Sequence, residues 1–220
     1  MRQPTWKIWL SYFTEIVLER GSSDPNEDLQ LGLKKGRYCL STPNAIYSFG
    51  DLYDNFSKSF QQLDIVEKNI KDVLVLGFGL GSIPFMLEKT FSKKCRYVGV
   101  EADELIAHWA AKYVLDELDS PVQMNLTDAY FFVEMCEEKF DLIAMDVFID
   151  SEIPSEFEEV EFLENLKRLL KKDGILMYNR LSLDESDKKK TLAFFDNEFK
   201  AAFPQARYLD VGGNYMLLNI

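Results

Sequence analysis

A doubly wound α/β sheet, mostly parallel and closed by an antiparallel last strand, is the fold that three features of this sequence predict. After residue 60, short and wholly apolar runs alternate with longer amphipathic segments. A glycine-rich turn joins the first of those runs to the first of those segments. The chain ends in two further runs separated by Gly212-Gly213-Asn214, the composition of a hairpin turn.

Before residue 60 the texture differs. Apolar residues fall in short clusters: Ile8-Trp9-Leu10, Ile16-Val17-Leu18, Leu29, Leu31 and Leu33, Tyr38-Cys39-Leu40, and Ala45-Ile46-Tyr47. Turn formers lie between them, including Gly21 to Asn26, Lys35-Gly36 and Thr42-Pro43-Asn44, so the segment reads as hairpins of a small antiparallel sheet. Asp28 to Leu33 alternates polar and apolar, as a strand with one buried face does. Residues 1–60 are expected to form this β-rich extension, and residues 61–220 the main domain.

In the main domain, Val73-Leu74-Val75-Leu76, Tyr97-Val98-Gly99-Val100, Leu142-Ile143-Ala144-Met145 and Ile175-Leu176-Met177-Tyr178 are the runs expected of parallel strands covered on both faces. A short third strand is expected around residues 122–124. Residues 83–91, 104–118 and 156–170 carry apolar residues at helical spacing. Lys171-Lys172-Asp173-Gly174 reads as the stop of the last of these, with cations in the final turn and a glycine past it. A further helix is expected at about 188–202, followed by the antiparallel hairpin. Strands and helices in this alternation imply right-handed crossovers and a ligand crevice at the carboxyl ends of the strands.

Composition narrows the function. The 220 residues hold 25 Lys and Arg against 37 Asp and Glu, a net charge of −12, and a single histidine. A surface of that sign repels phosphate backbones and argues against a nucleic-acid binder. Cys39, Cys95 and Cys136 are odd in number and match neither a disulfide framework nor a zinc-ligand spacing, so reduced thiols and no metal are expected. No run reaches the roughly 18 apolar residues of a membrane helix, and Met1 to Trp6 lacks a signal peptide's apolar stretch. The expectation is a cytoplasmic protein that does not engage membranes.

Four places could carry chemistry. The first is Gly77-Phe78-Gly79-Leu80-Gly81-Ser82, where glycines admit positive φ and let a ligand approach the backbone at a helix start. Ser82 stands where the dinucleotide fingerprint has its third glycine, and a plain structural turn is the competing reading. The second is Glu101, 20 residues beyond Gly81 at the end of the second strand, where a carboxylate can accept from both ribose hydroxyls. Asp103 and Glu104 read as acids of a helix N-terminus. The third is Thr127-Asp128-Ala129, able to meet an adenine amino group and ring, or simply to cap a helix. The fourth is Asp146, at the end of the strand that begins Phe140-Asp141-Leu142 and facing the same crevice. His108 reads as a packed or surface histidine, and the glutamates from Glu156 to Glu164 as the solvent face of a helix.

In this order the segments resemble the class I S-adenosylmethionine-dependent transferases with a Rossmann-like fold, and within them the spermidine synthase-like branch. The likeness spans roughly residues 36–180. It rests on Val98-Gly99-Val100-Glu101-Ala102-Asp103, Ala111-Lys112-Tyr113, Thr127-Asp128-Ala129-Tyr130, the strand from Phe140 to Asp146, and Tyr53 at the close of the β-rich part. The resemblance implies S-adenosylmethionine as cofactor, with Gly77, Phe78, Gly79 and Gly81 around its methionine portion, Glu101 and Ala102 at the ribose, and Asp128 and Ala129 at the adenine. It implies Asp146 at the transferred group, as catalytic residue.

The sequence also departs from that branch. Aminopropyltransferases carry an aspartate in the glycine loop where Leu80 stands here. Their catalytic Asp-Ser-Ser-Asp-Pro becomes Asp146-Val147-Phe148-Ile149-Asp150, with the second acid displaced and the proline absent. Their two glutamines correspond to Tyr47 or a neighbour, and to Asn179 or Arg180. On these departures the sequence favours methyl transfer to a small molecule or peptide. Aminopropyl transfer in polyamine synthesis is the alternative, and a non-catalytic Rossmann-like binding protein the second. The resemblance also implies a homodimer formed through the β extension, for which Trp6, Trp9, Tyr12 and Phe13 suit an interface, unless they pack onto the main domain.

Overall fold

Hairpin chemistry builds the first of two sheets. In the computed structural model, which describes residues 3–24, 26–43, 45–149 and 152–220, strands Ile16–Gly21 (β1), Leu29–Lys34 (β2), Arg37–Ser41 (β3) and Ile46–Ser48 (β4) pair in chain order and antiparallel. Lys35 and Gly36 both take positive φ, the two-residue turn that matches strand twist between β2 and β3. Pro25 and Asn44, expected in the neighbouring turns, lie outside the described residues, as does the displaced acid Asp150.

Ile8-Trp9-Leu10 is a correction: it belongs to a helix, Thr5–Leu10, that follows Pro4. Three consecutive apolar residues carry no period, so strand and helix look alike there, and Pro4 with its φ of −58° suits a helix start. No residue of this helix is buried. Trp6, Trp9, Tyr12 and Phe13 are 62–72% exposed, so they do not pack onto the main domain.

The second sheet contains Asp72–Leu76 (β5), Arg96–Glu101 (β6), Val122–Leu126 (β7), Phe140–Met145 (β8), Leu170–Leu181 (β9), Arg207–Asp210 (β10) and Asn214–Leu218 (β11). Its order is β10-β11-β9-β8-β5-β6-β7. Strands β5 to β9 run parallel, and β11 is antiparallel to both β9 and β10, the fold class expected from the sequence. Because β5 lies between β6 and β8, its crossovers leave to opposite sides and open a crevice at its carboxyl end.

Helices cover both faces. On one face, Phe56 and Phe60 of helix Asp54–Gln62, Ile83 of Ser82–Phe85 and Trp109 of Glu104–Tyr113 share a core with Val73 and Val75. Leu29, Leu31 and Leu40 of the first sheet belong to that same core, so the two sheets are packed together. On the other face, Val133, Phe162, Leu163 and Phe199 from helices Ala129–Met135 and Val160–Leu169 and the segment Phe195–Phe199 pack on Leu74 and Ile143. The helix Asp54–Gln62 runs across the expected boundary at residue 60.

The expected helix stop at Lys171 to Gly174 is a second correction. The helix ends at Leu169, Leu170 is already extended, and β9 bulges before Ile175. The cations of the last turn are Lys167 and Arg168, and Asp173 rather than Gly174 takes positive φ. Lys171 instead ion-pairs with Asp72 and Asp141 at the amino ends of the central strands β5 and β8, opposite the crevice. Among the described residues, no helix is long and apolar enough to cross a membrane.

Candidate active site

Strand register brings the expected site residues into line. Leu76 of β5 pairs with Val100 of β6 and with Met145 of β8, and Met145 pairs with Tyr178 of β9. The next residue on each strand is therefore Gly77, Glu101, Asp146 and Asn179, one row across four neighbouring strands. Side chains that leave the sheet at this row share the crevice.

At Gly77 the turn admits no side chain. Its φ is +76°, and a Cβ there would lie 2.3 Å from the carbonyl oxygen of Asp146. The turn is also closed on itself, since the N–H groups of Gly77 and Phe78 both reach the Val100 carbonyl at 3.0 Å. Phe78 turns its ring into the core against Gly99 and Gly81. Gly81 opens the following helix from the back of the turn. Ser82 takes up the side-chain role the missing glycine leaves open: its hydroxyl lies 2.6 Å from that of Ser48 and accepts from Phe49 N–H at 3.0 Å, tying the first sheet to the turn.

Glu101 is held by backbone. Gly79 N–H donates to its Oε2 at 2.8 Å and Asp103 N–H to its Oε1 at 3.1 Å. Burial raises its proton affinity and these two donors oppose that rise. Asp103 does more than cap the helix. Its Oδ1 accepts from Leu105 and Ile106 N–H, and its Oδ2 from the Ser23 hydroxyl and, at 2.9 Å, from Asn26 Nδ2. Asn26 Oδ1 in turn accepts from the Tyr47 hydroxyl at 2.8 Å. The β1–β2 turn is thereby pinned over the crevice. Farther out, Glu19 of β1 accepts from Trp109, Lys112 and Tyr113 of the helix Glu104–Tyr113, a second tie between the sheets.

Asp128 caps the helix Ala129–Met135, accepting from Tyr130 N–H at 2.7 Å, and that bond engages one of its two oxygens. Asp146 is half-buried. Its Oδ1 accepts from Asn179 Nδ2 at 2.8 Å and, more weakly, from the Tyr53 hydroxyl at 3.4 Å. Burial pushes its carboxyl up to about 7, against the lowering pull of those two hydrogen bonds. Burial and the nearby Asp146 charge raise the Tyr53 phenol well above its ordinary value. Tyr53 stays protonated as a donor.

One cavity gathers most of these groups. Gly77, Gly79, Glu101, Ala102, Asp128, Ala129 and Asp146 line it, whereas Phe78 and Gly81 do not. Asn26, Tyr47, Tyr53 and Asp103 add polar walls, Phe148, Ile149, Pro154 and Phe157 are among the apolar ones, and exposed Glu156 lies at the rim. Glu156 thus departs from the solvent-face reading, as does Glu158, which ion-pairs with Arg180. Among the described residues, the lining contains five carboxylates, from Glu101, Asp103, Asp128, Asp146 and Glu156, and no lysine, arginine or histidine. His108 is exposed and outside the lining. No group of His, Cys, Asp and Glu suited to a metal occurs among the described residues.

Residues 62–211 match the spermine/spermidine synthase domain. The chain belongs to that family. A probable polyamine aminopropyl transferase of Bifidobacterium longum is 29% identical over 111 residues, 50% of this chain and 24% of the relative. This family member spans about a fifth to a half of the length of the curated relatives it matches. The spermidine synthase of Thermotoga maritima has a TM-score of 0.65 at 17% identity, covering 92% of this chain and 72% of that one. Human methyltransferase-like protein 13, solved in complex with SAH, has a TM-score of 0.55 at 23% identity, covering 70% and 72%. Both structures share the fold.

Proposed function

We propose that this member of the spermine/spermidine synthase family transfers an aminopropyl group from decarboxylated S-adenosylmethionine to a small amine. The observation that carries the reading is the charge of the cavity. Five carboxylates and no cation among the described lining residues favour a donor that is positive at both its sulfonium and its amine, and an acceptor that is an amine. S-adenosylmethionine itself would bring a carboxylate into the same acidic space. The balance therefore moves from methyl transfer, favoured on the sequence, to aminopropyl transfer, in keeping with the family and its polyamine-modifying relatives.

The chain's own groups divide the work. Glu101, its two oxygens fixed by backbone N–H groups, has lone pairs left for ribose hydroxyls. Asp128 and the first N–H of its helix face the cavity as acceptor and donor for an adenine edge. When bound, the donor supplies an activated carbon on a cationic sulfur that leaves as a neutral thioether. Asp146 orients the attacking nitrogen and takes the proton which that nitrogen loses as its new bond to carbon forms. A carboxyl poised near pH 7 suits that exchange. Tyr53 keeps Asp146 oriented from the side of the first sheet.

Calorimetric titration with decarboxylated and ordinary S-adenosylmethionine tests the reading. The decarboxylated donor is expected to bind at least about tenfold tighter, a difference of roughly 1.4 kcal/mol. Tighter binding of the ordinary form would overturn it and support methyl transfer. That second reading is favoured by Leu80, buried at the turn position where an amine-holding acid would stand. Binding of neither would leave a Rossmann-like binding protein.

A further inference from the structure

Asn179 is 1% exposed, gives one side-chain N–H to Asp146 and leaves its own carbonyl oxygen without a hydrogen-bond partner among the described residues. A buried acceptor with no donor is uncommon and calls for a physical reason. The strand pairing supplies none, because Asn179 lies opposite Met216 and its side chain takes no part in the ladder between β9 and β11. Its neighbour Arg180 is engaged elsewhere, ion-paired with Glu158 and stacked 4.3 Å from the Phe194 ring. What distinguishes an amide from other side chains of its size is that one end donates, the other accepts, and a half-turn about the last bond exchanges them.

A carboxyl that takes up and releases a proton needs a donor opposite it when charged and an acceptor opposite it when neutral. We infer that Asn179 is a positioning residue that serves Asp146 in both states, through its N–H when Asp146 is ionised and through its carbonyl oxygen when Asp146 carries the proton. The proton leaves the acceptor nitrogen, bonds to Asp146 Oδ1 and is then shared with Asn179 Oδ1, with no other group consumed. Among the described residues, the other polar side chains that share the cavity with Asp146 do not replace it. Tyr53 is a donor at 3.4 Å, and Glu101, Asp103, Asp128 and Glu156, which reach the cavity from β6, the helix starts and the rim, offer negative charge. The transfer step in this inference rests on the aminopropyl reading, whereas the pairing of Asn179 with Asp146 does not.

The test is a carboxyl-carbon NMR titration of the full chain, with Asp146→Asn identifying the Asp146 signal. Asn179→Leu, near in size and without either polar end, is expected to move the Asp146 midpoint up by about one pH unit, since the charge-assisted donor lost to the ionised form is worth about twice the neutral acceptor lost to the protonated form. Asn179→Gln, which keeps both ends, is expected to bring it back toward the wild-type value. In transfer assays the alkaline shift should reappear in kcat for Asn179→Leu while the KM for the donor stays unchanged. A midpoint that does not move in folded Asn179→Leu would overturn the inference and leave Asn179 a packing residue. Should that variant fail to fold, Asn179→Asp, nearly isosteric, replaces the donor end with an acceptor and must raise the midpoint further for the inference to stand. Absence of transfer by the wild-type protein would count against the aminopropyl reading, and the titration would still decide the role of Asn179.

Discussion

Glu101 and Asp146 occupy matching places, one ending β6 and the other following β8, on either side of β5. Burial raises the proton affinity of both. Their partners differ in kind. Both oxygens of Glu101 are met by backbone N–H groups, which substitution does not remove and which do not rotate. The partners of Asp146 are side chains, one an amide and one a phenol, gathered on a single oxygen. Backbone donors thus make a carboxylate a fixed acceptor, whereas side-chain donors leave one free to exchange a proton.

Asp146→Asn should separate the two carboxylates most clearly. It is expected to lower kcat by about a thousandfold, as loss of a general base does, with donor affinity nearly unchanged. Wild-type activity should rise with pH through about 7 as Asp146 ionises, and steady-state rates across pH should show the variant's residual rate without that limb. Stability runs the other way. The fold favours the neutral carboxyl, so the contribution of Asp146 is present below its ordinary value near 4 and is lost as pH rises through about 7. Thermal melts should therefore show Asp146→Asn gaining a few degrees at pH 8 and almost nothing at pH 4.

Glu101→Gln comes next. It keeps the size but turns a charged acceptor into a half-donor facing the N–H groups of Gly79 and Asp103, and donor binding should weaken by about 10- to 100-fold. Calorimetry would show the loss, while kcat at saturating donor changes little. The smallest effect is expected from Tyr53→Phe. A hydrogen bond at 3.4 Å is long, so the rate should fall by less than about tenfold and the acid limb of the pH profile move up slightly. A loss as large as that of Asp146→Asn would show that Tyr53 does more than orient.

The parts of this arrangement readable in the sequence are those with a local signature. The apolar runs of β5, β6, β8 and β9 announced buried parallel strands, Gly77 and Gly79 announced the turn, and Glu101 and Asp146 stood at strand ends. The extension's Ile8-Trp9-Leu10 misled because so short a cluster has no period. Lys171 misled because cations near a helix end look alike whether they cap it or pair with Asp72 and Asp141. Phe78 and Gly81 sat in the right motif, but their directions depend on Gly99 across the sheet. The service of Asp103 to Asn26, or of Ser82 to Ser48, could not be read locally, since each joins residues 77 or 34 positions apart.

Ties of that reach are what join the two sheets. The ties of Asn26 to Asp103, Tyr53 to Asp146 and Glu19 to Trp109 span 77, 93 and 90 positions. Each closes a long loop whose entropy is repaid only after both of its ends are already structured. The cavity belongs to neither sheet alone, and its walls close only where the two sheets are tied together.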